Sequence, residues 1–275
     1  MQPTPKLKPI KTVADAYRFV FGHLPQLARL CSGWLGLALI LFIAFTALFM
    51  RLIESGTPAG ERFQSLPLDA QVGAIVGIPS LVLIIAVPLI VVAWHRVIIK
   101  QTQPSIFPMP LGAALLYLAR TFLLGMIWPL TVGLVGLLPI VYVSKLALDP
   151  HLIFSLNVAF IALSAMLGAL ITARLVLILP AGAVGDWSIT LTKSWQMTSG
   201  NGLRLAVGFI LAAAPLFAIN AASSIFFNAV HDQAVALRSA IVVTVVSTLL
   251  SLAAALIEAT FLSFAYLFFT GNKRN

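Results

Sequence analysis

Glu258 is the acidic residue whose position asks for chemistry. It lies in "LSLAAALIEATFLSFAYLFF" (250–269), the last long apolar run of the chain. Roughly 12 residues of that run follow it, about 18 Å of helical rise, which places the carboxyl group near the centre of a bilayer. A carboxylate at that depth costs several kcal/mol unless it is protonated or paired. Three roles follow: a proton- or ion-coupled site, a polar latch that moves, or a neutral or paired structural group. Arg174 is the first cationic partner to consider, and Arg120 the second. Ser247, Thr248, Ser251, Thr260 and Ser263 share the helix and can hydrogen-bond between helices or line a polar crevice.

A second set is cationic: Arg96, Arg174, Lys193 and Arg204, with His95 beside the first. The guanidinium fork fits phosphate oxygens in pairs, so these four are candidate ligands for a lipid headgroup. The same residues at helix ends also serve simply to carry charge to the membrane surface. Other chemistry lacks its parts. The chain shows no Ser/His/Asp arrangement, no paired carboxylates and no glycine loop of phosphate-binding length, "GNG" at 200–202 being too short. His23, His95, His151 and His231 are scattered, and Cys31 is the single cysteine, which excludes a disulfide framework and a cysteine metal cluster. The expectation is a protein that is not an enzyme and carries no cofactor or metal.

The elements that must position these residues are set by composition. Hydrophobic residues make up 60% of the chain and charged residues 9%, against about 25% charged in a soluble domain. Runs of about 20 apolar residues recur, each long enough to cross a ~30 Å hydrocarbon layer as helix. The pattern predicts an all-α polytopic membrane protein with six spans, roughly 31–52, 72–95, 120–143, 155–179, 204–228 and 239–269. The organisation expected is an N-terminal segment over 1–29, a six-helix domain over 30–270 and a short tail over 271–275. The beginning lacks the compact apolar core and cleavage site of a removable signal.

Charge sets the orientation. With both termini cytoplasmic, only Arg51, Arg62, Lys145 and Arg238 of the 17 basic residues fall outside, while Glu54, Glu61, Asp69, Asp149 and Asp232 gather there. That bias predicts N-in and C-in. Most of the +9 net charge is then a signature of insertion and does not call for nucleic acid. An inner rim so basic attracts anionic lipid headgroups at about 1 kcal/mol per nearby cation.

Three polar stretches lead into the spans on the cytoplasmic side. "TVADAYRFVFGHLPQLAR" (12–29) has Val13, Tyr17, Val20, Phe21 and Leu24 at three- and four-residue steps, an interfacial helix with one apolar face. It can anchor in lipid or dock a protein partner. "KQTQPSIFPMPLGAALLYLAR" (100–120) carries Pro104, Pro108 and Pro110 and predicts a short interfacial piece ending at Arg120. "GDWSITLTKSWQMTSGNG" (185–202) predicts a helix over 187–199 with Asp186 as its N-cap and Gly200 as its left-handed stop. On that helix Trp187, Leu191, Trp195 and Thr198 share one face, and the two Trp act as interfacial anchors.

"AWHRVII" (93–99), "ARLVLILPAGAVGDWSITLTKSWQMTSGNGLRL" (173–205) and "LSFAYLFFTG" (262–271) together resemble a bacterial family of six-helix inner-membrane proteins. It comprises YciC-like proteins and the membrane domain attached to some glycerophosphodiester phosphodiesterases. The resemblance covers most of the chain and is sharpest from Arg174 to Arg204. It implies the six-helix topology, a bacterial cytoplasmic membrane and at most a lipid-facing role, the family being largely of unknown function. The function expected is binding of membrane phospholipid or of a membrane-protein partner, in membrane homeostasis or as an accessory subunit. The competing expectation is a small transporter built on Glu258.

Overall fold

Within hydrocarbon a backbone must satisfy its own N–H and C=O groups, and a helix does so inside one segment. The computed structural model describes residues 6–143, 145, 149–228 and 233–271, and among them there is helix and no strand. Six helical stretches are long and apolar enough to cross a membrane: Leu24–Glu54, Pro79–Lys100, Leu111–Val143, Pro150–Val184, Gly202–Ile219 and Val245–Thr270. Large apolar side chains point outward along them, Ile40 (66% exposed), Ile84 (65%) and Phe154 (70%) among them. Water would penalise that much apolar surface, whereas lipid does not.

The chain begins with α1 (Pro9–Gly22) and α2 (Leu24–Glu54), broken at His23, where Pro25 occupies the first turn of α2. The 12–29 segment, in which a turn is expected near Pro25, is two helices that part at His23, and α2 runs without interruption into the first span. A short α3 (Pro58–Gln64) is capped by Thr57, whose hydroxyl accepts from Gly60 N. α4 (Leu68–Lys100) ends at Gln101, which takes the left-handed conformation (φ 53°). Pro104 follows and blocks any continuation. α5 (Leu111–Gly125) starts directly after Pro110 and passes Arg120 without a break, so the separate interfacial piece expected over 100–120 is not there. Its residues 111–120 belong to the third span itself.

That third span continues as α6 (Ile127–Thr131), a π-helical stretch (Val132–Leu137) and α7 (Leu138–Val143). Pro129 and Pro139 flank the π stretch, and each lacks the N–H a regular ladder needs. α8 (Pro150–Leu175) is capped by Asp149, which accepts from His151 N and Leu152 N. After a two-residue break come α9 (Ile178–Val184), α10 (Leu191–Met197), α11 (Gly202–Asn228) and α12 (Gln233–Thr270). Asp232, Lys273 and Arg274 lie outside the described residues.

The chain divides into two compact units. The first comprises Met1–Tyr17, Leu111–Leu211 and Thr260–Asn275, and the second Arg18–Pro110 and Ala212–Ala259. In the first, the interior is built on α9, whose seven residues are all buried, with Leu205, Phe261 and Ala265. Gly208 admits the Phe261 ring so closely that a Cβ there would overlap it. In the second, α2 packs along α4, and Trp94 and His95 are fully buried. Phe19 stacks on His23 at 4.0 Å between centroids, and Trp34 meets Phe107 edge-on at 5.6 Å.

Candidate functional site

The break between α8 and α9 organises the first unit. Val176 and Leu177 leave the helical ladder, and Pro180, two residues into α9, has no N–H to restore it. Carbonyls freed by such a break must find donors or lose hydrogen-bond energy in a buried setting. Residues 185–202, the collar, provide them for Arg174. Its backbone oxygen accepts from Ser194 Oγ at 2.9 Å and lies 3.0 Å from Thr198 Oγ1, whose one hydroxyl hydrogen is shared with Ser194 O at 2.8 Å. Its side chain closes the other half of the clamp. Nη2 donates to the Trp195 carbonyl at 3.0 Å, and the guanidinium lies 3.7 Å from the centroid of the Trp195 ring.

Arg120 reaches the first residue of α9, donating from Nη1 to Ile178 O at 2.6 Å. The guanidinium fits against Gly182, where a Cβ would come within 2.6 Å of Nη1. It also stands 5.7 Å from the Trp187 ring centroid. Each tryptophan of the collar is thus matched with an arginine from a spanning helix, at a separation in the cation–π range. Trp187 remains 69% exposed and Trp195 38%.

α9 stops in a Schellman turn: Gly185 has φ 75°, its N–H donates to Gly182 O, and Asp186 N donates to Ala181 O at 2.8 Å. This aims the Asp186 carboxylate at two donors. Oδ1 accepts from Ser188 N at 2.9 Å and Oδ2 from the Tyr266 hydroxyl at 2.7 Å. Partial burial opposes ionisation of Asp186 more than any other single influence favours it. The Ser188 and Tyr266 hydrogen bonds and the Lys193 charge together outweigh it, so the acid is held below the usual carboxylate range.

This corrects the helix expected over 187–199. α10 covers only Leu191–Met197, and its N-cap is Thr190, in an extended conformation, with Oγ1 accepting from Lys193 N at 3.2 Å. Asp186 cannot cap it because it is committed to Ser188 and Tyr266. Trp187 lies outside the helix and shares no helical face with Trp195. Gly200 does take the left-handed stop (φ 72°). Asn201 does more than turn the chain: it is 1% exposed and its Oδ1 accepts from Leu7 N at 2.9 Å, fastening the N-terminal segment to the collar.

Of the expected headgroup ligands, Arg174, Lys193 and Arg204 fall in the first unit, in the last turn of α8, on the collar and within the first turn of α11 respectively, while Arg96 belongs to the second unit in α4. Lys193 is exposed, with Nζ 3.4 Å from Ser188 Oγ. The Arg174 stem crosses the start of α11, where a Cβ on Gly202 would lie 2.9 Å from its Cγ and 3.2 Å from its Cδ. Nε, the next atom along, is buried without a hydrogen-bond partner, and so is Nη1 of Arg204. Sequence reasoning overlooked Ser194, Thr198, Asn201 and Leu7. Their signal was Pro180 following so soon after Arg174, which implies a helix break and carbonyls in need of donors.

Glu258 lies in the second unit and lines a hollow of about 190 Å³ between α11 and α12, with Leu216, Phe217, Leu250, Ser251, Ala254 and Ala255. Among the described residues, neither a hydrogen bond nor a neighbouring charge acts on its carboxyl group. Arg174 and Arg120, the partners considered for Glu258, make their bonds within the first unit, to Trp195 and Ile178.

Six helices long and apolar enough to cross a membrane fit a multi-pass α-helical membrane protein. Neither a family model, a curated protein nor a solved structure matches the chain.

Proposed function

We propose that this is a non-enzymatic integral protein of a bacterial cytoplasmic membrane, N-in and C-in, that holds an anionic phospholipid headgroup at its collar. The observation that carries this reading is the pair of buried guanidinium N–H groups without acceptors, Arg174 Nε and Arg204 Nη1, beside the first turn of α11. The first backbone N–H groups of a helix also lack intrahelical acceptors and face a favourable field for negative charge. A phosphate oxygen supplies what both kinds of donor lack. Exposed Lys193 adds a third cation, and Trp187 and Trp195 suit a membrane–water boundary. α1 keeps Val13, Ala16 and Val20 buried while Ile10 (74% exposed) and Phe21 (60%) face outward with Lys11 and Arg18. That face suits the inner leaflet or a membrane-protein partner.

Arg174 also clamps the fold, so the test uses the other two cations. Native mass spectrometry of protein taken from mixed phosphatidylglycerol and phosphatidylcholine membranes should show phosphatidylglycerol retained by wild type. Retention should fall several-fold in Lys193→Gln/Arg204→Gln with the unfolding temperature unchanged. Equal retention in both proteins would overturn the reading. Single cysteines placed in the 55–67 and 101–110 loops, labelled in intact cells, report the orientation.

A second reading, a small transporter, is favoured by the hollow beside Glu258. A carboxyl group with no partner among the described residues, facing a cavity inside a spanning helix pair, is what a coupled ion or substrate site requires.

A further inference from the structure

We propose that the hollow between α11 and α12 binds a small organic ammonium ion, with its charged head on Glu258 and its apolar body against Ala254, Ala255 and Phe217. The proposal deepens the transporter reading, on which it rests.

Four features of the hollow specify this class. Its volume is about 190 Å³, and an apolar cavity of roughly 150 Å³ already accommodates a benzene-sized molecule. The space therefore exceeds what a proton or a single water needs. Its wall is apolar except at Ser251 and Glu258. These two are seven positions apart on α12, so their oxygens start about 10 Å apart along the helix. A hard metal cation wants roughly six or more oxygens gathered around it, and the lining side chains cannot gather them. An ammonium group needs one carboxylate and donates its hydrogen bonds there.

The remaining lining fits the rest of such a ligand. Ala254 and Ala255 are the small residues that leave the room, on the same face of α12 as Ser251 and Glu258. From α11 come Leu216 and Phe217, directly after Pro215, which removes a ladder hydrogen bond inside that helix. Phe217 presents an aromatic ring, a favourable neighbour for a cation. Phe217 (65% exposed) and Ser251 reach the protein surface, so the hollow has a way in. A neutral or anionic ligand of the same size would leave the carboxyl group uncompensated or opposed, which sets the selectivity.

The test is saturable binding of radiolabelled benzylammonium to the full chain in phosphatidylcholine nanodiscs, with empty discs as background and benzyl alcohol as the neutral isostere. Wild type should bind benzylammonium at least about tenfold more tightly than benzyl alcohol, a difference of about 1.4 kcal/mol. Glu258→Gln should remove that difference. Ala254→Leu, which fills the hollow and keeps the carboxyl group, should abolish binding of both. Wild-type affinity in either variant, or no saturable binding to wild type, overturns the proposal. Infrared titration of the carboxyl band separates it from the reading beneath it. Proton uptake that disappears in Glu258→Gln, without amine binding, would leave a proton-coupled Glu258 and reject the ammonium ligand. Absence of both would reject the transporter reading as well.

Discussion

Arg174 holds Trp195 twice, through a hydrogen bond from Nη2 to its carbonyl at 3.0 Å and through the guanidinium 3.7 Å from its ring centroid. The same Arg174 is held in return, since Ser194 and Thr198 hydroxyls donate to its backbone oxygen. Collar and helix break are thus one unit: the break creates an unsatisfied carbonyl, and the collar exists in a conformation that satisfies it.

The two bonds of Arg174 to Trp195 should separate on mutation. Trp195→Ala keeps the carbonyl and loses only the ring contact, so it should cost about 0.5–2 kcal/mol. Arg174→Ala loses the ring contact and also the charged donor to the carbonyl, leaving it only the Thr198 hydroxyl at 3.3 Å, and should cost more, about 2–4 kcal/mol, since hydrogen bonds to charged groups are the stronger ones. Thermal unfolding in detergent, followed by intrinsic tryptophan fluorescence, gives the order; a smaller loss for Arg174→Ala would contradict the clamp.

Ser194 and Thr198 share one acceptor, so their effects should not add. Ser194→Ala or Thr198→Val alone leaves Arg174 O with one donor and should cost about 1 kcal/mol or less. The double variant leaves it with none, and a loss exceeding the sum of the singles by at least about 0.5 kcal/mol is expected. Strict additivity in a double-mutant cycle would show that the two hydroxyls do not meet at that oxygen.

Asn201 secures the N-terminal segment through Leu7 N. In Asn201→Ala a buried N–H loses its acceptor, at about 1–3 kcal/mol. Limited proteolysis should then cut within residues 6–12 faster than in wild type, while cleavage elsewhere stays constant.

Asp186 titrates below the usual carboxylate range because Ser188, Tyr266 and Lys193 together overcome the cost of its burial. A depressed folded-state value means that its stabilisation is fully present above the unfolded value of about 4 and disappears as pH falls through the folded value. Unfolding temperature should therefore be flat in this respect from pH 7 to about 5 and fall below about 4. Tyr266→Phe removes one of the bonds and brings the folded value closer to the unfolded one, so its decline should begin at the same pH and be smaller. An unchanged profile would mean that the hydroxyl bond contributes nothing to the ionised state.

Gly208 sits where the fully buried Phe261 ring leaves no room for a Cβ. Gly208→Ala should cost about 1–3 kcal/mol by overpacking, and Gly208→Ala/Phe261→Leu should recover much of it. The unfolding temperatures of the two variants decide this.

The class of the protein was legible in the residues themselves. Apolar runs of bilayer length, such as 24–54 and 245–270, can only be helices in lipid, because each must satisfy its own backbone. Gly200 as a left-handed stop was legible too, since local backbone preference selects glycine there. What the residues around it do depended on partners remote in the chain. Asp186 next to "WSITLTKSW" fits an N-cap on local grounds; only the arrival of Tyr266, 80 positions later, turns it into a tether. Arg174 and Arg120 likewise read as headgroup-level cations or partners for Glu258, until the fold brings the collar to the Arg174 carbonyl and the start of α9 to the Arg120 guanidinium. Glu258 shows the converse. Its depth in the last span was fixed by its place in the run, but whether it meets an arginine or a hollow depended on how α11, bearing Pro215, packs beside α12. Helix formation is decided by neighbours in sequence and by the solvent, whereas polar partnership is decided by which helices the tertiary fold brings together.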